Sequence, residues 1–278
     1  MSIFTKNQNM NKTIFALSIL SIILCSCKDE DVINQNDLTS TQCTQDHLGA
    51  EKTFNDAVRW VEAGFDANPD HKSGPTYTIM NSDPSNADTL IVNFGASSTD
   101  GATIRSGSII SVYTGRYRDS LSVNTITFDD YHVNFDPVKG EQTITNKGRN
   151  NNGNMWFTIE VKNASINTSH GIINWEASRV REWVSGRNTY FNISDDRYMI
   201  TGNASGNSVN GDDFNMEITD SLEVDLGCLP NCVIKSGKAK ISRNGYVDRI
   251  INYADSDSTC NCNFDVTING TNYPIVVN

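Results

Sequence analysis

Met155-Trp156-Phe157-Thr158-Ile159-Glu160-Val161-Lys162 sets Met155, Phe157, Ile159 and Val161 on one side of an extended chain and Trp156, Thr158, Glu160 and Lys162 on the other. A period of two is the signature of a half-buried β-strand, and one dry face with one wet face is how antiparallel strands read. The period recurs on both sides of this stretch. Upstream it is carried by Leu90, Val92 and Phe94, by Leu121 and Val123, and by Tyr131, Val133 and Phe135. Downstream it returns in Phe214, Met216 and Ile218, then in Leu222, Val224 and Leu226, and less regularly in Val247, Ile251 and Tyr253. Phe264, Val266 and Ile268 close the series with Tyr273, Ile275 and Val277.

Turn chemistry punctuates these runs. Asn-Gly stands at 210–211, 244–245 and 269–270, and Asp100-Gly101, Asn152-Gly153 and His170-Gly171 extend the pattern. Asn-Gly suits a two-residue hairpin because both central residues of a type I′ turn need positive φ. The fold class expected is all-β: an antiparallel meander of about a dozen strands forming a curled sheet, a partly open barrel or a sandwich, since so many strands must close, split or protect an edge. Ala177–Val184 interrupts the alternation. A bulged strand fits it better than a helical turn, because Ile172–Trp175 leads into it and Thr189–Ile193 is expected to pair after it.

One segment has a different period. Phe54, Val58, Val61 and Phe65 recur at spacings of four, three and four, which places them on one face of an amphipathic helix. The helix is expected over residues 48–66, ended by Asn68-Pro69-Asp70, with Trp60 at the edge of its apolar stripe. That stripe needs a partner, and the sheet is the large one on offer.

The first residues read differently again. Lys6 and Lys12 precede the apolar run Ile14–Leu24, and Leu24-Cys25-Ser26-Cys27 follows at once. A positive leader, a short apolar run and a small residue before a cut make a secretory signal. The run is too short to span a bilayer, which takes ~20 apolar residues. Met10 is a second candidate initiator. Leu24 to Cys27 resembles a bacterial lipobox, which implies a diacylglycerol thioether on Cys27, cleavage before it, and acylation of the new amino group. Lys28-Asp29-Glu30-Asp31 resembles the surface-export signal of Bacteroidota lipoproteins. The organisation expected is therefore a lipoprotein signal peptide over 1–26, a lipidated Cys27 with a flexible acidic tether over 27–47, and a single β-rich domain over 48–278. The location expected is the outer membrane, lipid-anchored and facing outward, with a periplasm-facing anchor as the alternative.

Within the body, Tyr113-Thr114-Gly115-Arg116-Tyr117, Thr127–Asn134, Val138-Lys139-Gly140 with Thr143–Gly148, and Asp265–Gly270 following the stretch from Ile251-Asn252-Tyr253 to Cys260 resemble a recurring set of uncharacterised Bacteroidota cell-envelope lipoproteins. The resemblance implies an all-β fold and an envelope location, and no activity. Ser256-Asp257-Ser258 departs from the Gly-rich turn expected near there.

The chain carries net charge −11; removing 1–26 takes away Lys6 and Lys12 and no acid, so the remainder is at −13. No basic patch recurs, which argues against nucleic acid as a partner. Beyond Cys25 and Cys27 stand Cys43, Cys228, Cys232, Cys260 and Cys262. An exported protein sits where disulfides persist, so at least one bridge is expected between the Cys228/Cys232 and Cys260/Cys262 clusters, its connectivity open and Cys43 left over in the tether. A four-thiolate zinc site is the competing reading, disfavoured because C-x-C strains a tetrahedral centre. Paired acids at 129–130, 195–196 and 212–213 point to opposite faces of a strand and form no dyads; Asp255 and Asp257 share a face without the further ligands calcium needs. There is no G-x-S-x-G and no H-E-x-x-H, and His47, His71, His132 and His170 are expected at the surface or in turns. No metal, cofactor or catalytic role is expected.

Trp156, Trp175 and Trp183 are the candidate ligand face, since an exposed Trp on a sheet stacks on a sugar ring or marks a protein interface. The function expected is a lipid-anchored envelope protein with a binding or scaffolding role, whose partners are the membrane through its anchor and a glycan or an envelope protein. Alternatives are a carrier of an apolar ligand in a curled-sheet cavity and an unrecognised glycan-active hydrolase.

Overall fold

A computed structural model describes residues 38–66, 74–80, 87–189, 192–228, 233–253, 260 and 263–276. The segment expected to be a signal, Cys27 and most of the expected tether lie outside them. Among the described residues a helix, α1 (Gln42–Asp66), precedes thirteen strands: β1 (Thr76–Met80), β2 (Asp88–Asp100), β3 (Thr103–Tyr113), β4 (Val123–Val133), β5 (Asp136–Arg149), β6 (Met155–Thr168), β7 (Gly171–Ser185), β8 (Arg197–Asn207), β9 (Asp213–Asp225), β10 (Ile234–Ser242), β11 (Arg249–Asn252), β12 (Asn263–Ile268) and β13 (Thr271–Val276). All thirteen form one antiparallel sheet in sequence order, and β1 and β13 do not pair to close it into a barrel. Among the described residues no helix is long and apolar enough to cross a membrane.

The turns fall where the sequence places them. Each of the six Gly-containing pairs sits at a junction between consecutive strands. Asn269 and Gly270 have φ of 51° and 77°, the left-handed pair that a type I′ turn requires. Met155, Phe157, Ile159 and Val161 are all buried, as are Leu90, Val92, Phe94, Phe214, Met216 and Ile218.

Some alternation proves to be turn rather than strand. Leu121 and Phe135 take positive φ, 66° and 72°, and project 72% and 77% exposed from the β3–β4 and β4–β5 turns. Val247 lies in the β10–β11 turn. The two runs around Ile218 and Leu222 are one strand, β9, whose register against β10 shifts at Lys238. Ala177–Val184 is strand, as expected, but the next strand begins at Arg197; a short 3-10 turn at Ile193–Asp195, capped by the Asn192 side chain, replaces the pairing expected of Thr189–Ile193.

The helix starts six residues earlier than its apolar period announces. The Thr41 carbonyl accepts from the amides of Thr44 and Gln45 at 3.0 Å. Cys43, His47, Ala50, Phe54, Ala57, Val61 and Gly64 then step along one buried face at spacings of four and three. The first turns carry no hydrophobic period because most of their buried residues, Thr44, Asp46 and His47, are polar. Two of them are held by the sheet and its turns: Asp46 accepts from the Val209 amide of the β8–β9 turn at 2.9 Å, and His47 accepts from Trp175 of β7 at 3.1 Å. Cys43 and His47, expected in the tether or at the surface, are therefore 1% and 0% exposed.

The helix lies on the inner face of the sheet. Phe54 packs edge-on against Phe128 of β4, Trp60 against Phe94 of β2, and Phe65 against Tyr113 of β3. Further along the sheet it meets Trp175 of β7 and the β8–β9 turn, and the Ser40 carbonyl just before it accepts from Arg249 of β11. A helix that, together with Ser40 before it, reaches from β2 to β11 is one that the sheet curls around. Cys228 and Cys260 are joined by a disulfide, with Cα atoms 5.2 Å apart. Two of the four thiols of the zinc alternative are thus bonded to each other; Cys232 and Cys262 lie outside the described residues.

Candidate functional site

The inner face is a structural seam. Two arginines, Arg105 of β3 and Arg179 of β7, are each 4% exposed and meet helix carboxylates: Arg105 pairs with Asp56, and Arg179 with Glu51 at 3.1 Å. Arg179 also donates to the Asn203 carbonyl of β8. The Trp175 indole N–H can only donate, so His47 Nδ1 accepts and the ring proton sits on Nε2, 3.3 Å from Glu51 Oε2. Burial alone would raise the Glu51 carboxyl, but the Arg179 guanidinium and His47 outweigh it and hold its pKa near 2. The constellation of Glu, His and Trp resembles catalytic equipment in its residue types only, since every member is covered. Trp175 and Trp183, expected on a ligand face, are 4% and 1% exposed and point inward. They sit on the same face as Met155 and Ala164, their partners on β6; the helix covers Trp175 through His47 and Phe54, while Tyr198 and Arg118 cover Trp183.

Only Trp156 of the three lies on the outer face. It is half-buried, directly opposite Glu182 of β7. Glu182 is fixed by two amides: Asn150 and Asn154 each donate to its Oε1 at 2.8 Å. Those hydrogen bonds lower its pKa, so the carboxylate stays ionised. Val180 and Val184 flank it, 38% and 40% exposed. The β5–β6 turn is Asn-rich, and its role is to present these amides to β7.

Further along the same strands the outer face becomes mostly polar, with Ile172 of β7 51% exposed at its end. Residues directly opposite one another across a sheet share a face. Ser165, Asn174, Asn207 and Asp213 form one such row across β6 to β9. Glu176, Ser205, Asn215 and Ser242 form the next, across β7 to β10. Between them lies an open trough of about 630 Å³, and Ser205 and Asn215 also line a second trough of about 500 Å³ that continues toward Glu217 and Lys240. Asn207 is tied to Asp213, and Lys240 stands 3.8 Å from Glu217. Asn174, Glu176, Ser205 and Asn215 have no such tie among the described residues, so their groups face solvent. Sequence reasoning missed this trough, because the short polar residues of four strands are brought together only by register.

The acid pairs of the sequence are dispersed. Asp196 is buried and faces Arg118 at 3.6 Å, while Asp212 pairs with Arg243 at 2.6 Å. His132 and His170 are a strand residue and a turn residue, and Asp255, Asp257 and His71 lie outside the described residues. Among the described residues, no group of three His, Cys, Asp or Glu is placed to hold a metal ion. Comparison with protein-family models, with curated proteins and with solved structures finds no match for this chain.

Proposed function

We propose that this chain is a lipid-anchored envelope protein, facing outward from the outer membrane, whose β-body binds or scaffolds a polar partner through the outer face of β6–β9. The observation that carries the binding half is the division of labour between the two faces of the sheet. The inner face is occupied by α1, with Phe54, Trp60 and Phe65 filling the space where a carrier would hold an apolar ligand. The outer face carries the trough, with its uncommitted amides, hydroxyls and carboxylate, and the oriented Trp156–Glu182 pair. The anchoring half rests on Leu24-Cys25-Ser26-Cys27 behind an apolar run and on the acidic residues after it. Two or more acyl chains on one residue give stable attachment, at ~0.8 kcal/mol per buried methylene.

The anchor is tested by Cys27→Ser in the full chain. Incorporation of radiolabelled palmitate should disappear, and the protein should leave the membrane fraction. Protease added to intact cells should degrade the wild-type protein if it faces outward. Unchanged labelling and fractionation in the variant would remove the anchor from the proposal.

A further inference from the structure

We infer that the outer face of β6 and β7 is a binding track for an uncharged, hydroxyl-rich chain, that is, a neutral glycan, with Trp156 and Glu182 at one end and the polar trough at the other. The inference deepens the reading of the outer face as the binding face and rests on it.

Three observations converge. The first is continuity. Asn174, Glu176, Ser178, Val180 and Glu182 follow one another at every second position of β7, all on the outer face. From Asn174 to Glu182 is eight residues, or about 26 Å at ~3.3 Å per residue. That length suits a chain of several sugars rather than a single small molecule. The second is composition. A sugar offers hydroxyl groups that both donate and accept, and C–H faces that pack on apolar surface. Amides and hydroxyls at Ser165, Asn174, Ser205 and Asn215 match the first demand. The Trp156 ring beside Val180 and Val184 matches the second, and the Glu182 carboxylate beside it accepts from vicinal hydroxyls in an orientation already set by Asn150 and Asn154. Preorganised acceptors of this kind lose little on binding. The third is charge. Glu160, Glu176, Glu182 and Asp213 stand along the track against Lys162 on β6 and Lys139, opposite Ser165, on β5, within a chain of net charge −11. An anionic polysaccharide or a phosphate-rich ligand is repelled there.

The test is a glycan array probed with the purified full chain, followed by titration calorimetry with the oligosaccharides that bind. Neutral glycans should be retained and polyuronates and sulfated glycans should not. Trp156→Ala should weaken binding roughly tenfold, the loss of one ring-face contact. Asn174→Ala combined with Asn215→Ala should weaken it by a similar factor, and Ile79→Ser on β1, outside the track, should leave it unchanged. Ligand binding should also shift the tryptophan emission, and Trp156→Phe, which keeps an apolar ring, should abolish most of that shift because Trp175 and Trp183 are interior and Trp60 packs on Phe94 between the helix and the inner face. Retention of only anionic glycans, of none, or of neutral glycans insensitive to both sets of substitutions would overturn the inference. The Cys27→Ser chain should bind as the wild type does, so loss of the anchor reading and loss of the glycan reading are separate outcomes.

Discussion

Replacing Glu51 with Gln tests whether the charged seam between α1 and the sheet stabilises the fold. Glu51 has a side chain 13% exposed and meets Arg179 at 3.1 Å and His47 at 3.3 Å. Its carboxyl lies near 2 in the folded chain against an ordinary 4.5. That interval, at about 1.4 kcal/mol per pH unit, is worth ~3 kcal/mol at pH 7. An independent route gives the same order, since removing one partner of a buried pair costs roughly 3–5 kcal/mol. The pH dependence has a definite sign. A carboxyl whose folded pKa is lowered contributes fully above 4.5 and loses that contribution as pH falls toward 2. Urea unfolding of wild type and Glu51→Gln should therefore differ by about 3 kcal/mol at pH 7, and by less than half of that at pH 3, where the wild type has surrendered most of the term and the amide has nothing to lose. A difference below ~1 kcal/mol at pH 7, or one that persists undiminished at pH 3, would refute the reasoning.

The remaining stability predictions concern local geometry. Cys228→Ser opens a bridge between residues 32 apart in sequence and should cost about 3.5 kcal/mol in the chain-entropy model, read as a lowered urea midpoint relative to the oxidised wild type. Gly107 has φ +76° within β3, and a Cβ there would overlap the Asp130 carbonyl, so Gly107→Ala should cost well over ~2 kcal/mol and disturb the β3–β4 pairing. Gly211 has φ +82° with open space around it, so Gly211→Ala should cost only about 1 kcal/mol. Thermal melts of the two variants side by side separate backbone strain from collision.

Legibility differed by element. The strands of β6, β9 and β12 could be read because one face of each is dry, and alternation records that directly. The hairpin turns could be read because few residues besides Gly and Asn tolerate positive φ. Leu121 and Phe135 misled for the complementary reason: apolar residues occupy left-handed turn positions, where composition and conformation disagree. The start of α1 was hidden because Cys43, Asp46 and His47 are buried through hydrogen bonds and not through hydrophobicity. On β7 the adjacent residues Glu182 and Trp183 point to opposite faces, with Trp156 of β6 on the Glu182 side, so the candidate ligand tryptophans could be assigned to outer or inner only with the helix in place.

What the sequence by itself determined is local: a period of two, six glycine turns, one helical stripe, and thiols in both cysteine clusters, two of which the fold joins as Cys228–Cys260. What only the tertiary structure decided is which face is which. Side-chain alternation is symmetric under exchange of the two faces, and only the curl of thirteen strands around α1 breaks that symmetry. It buries Trp175, Arg105 and Arg179 against the helix and Trp183 against Tyr198 and Arg118, and leaves Trp156, Glu182 and the polar rows of β6–β9 on the surface.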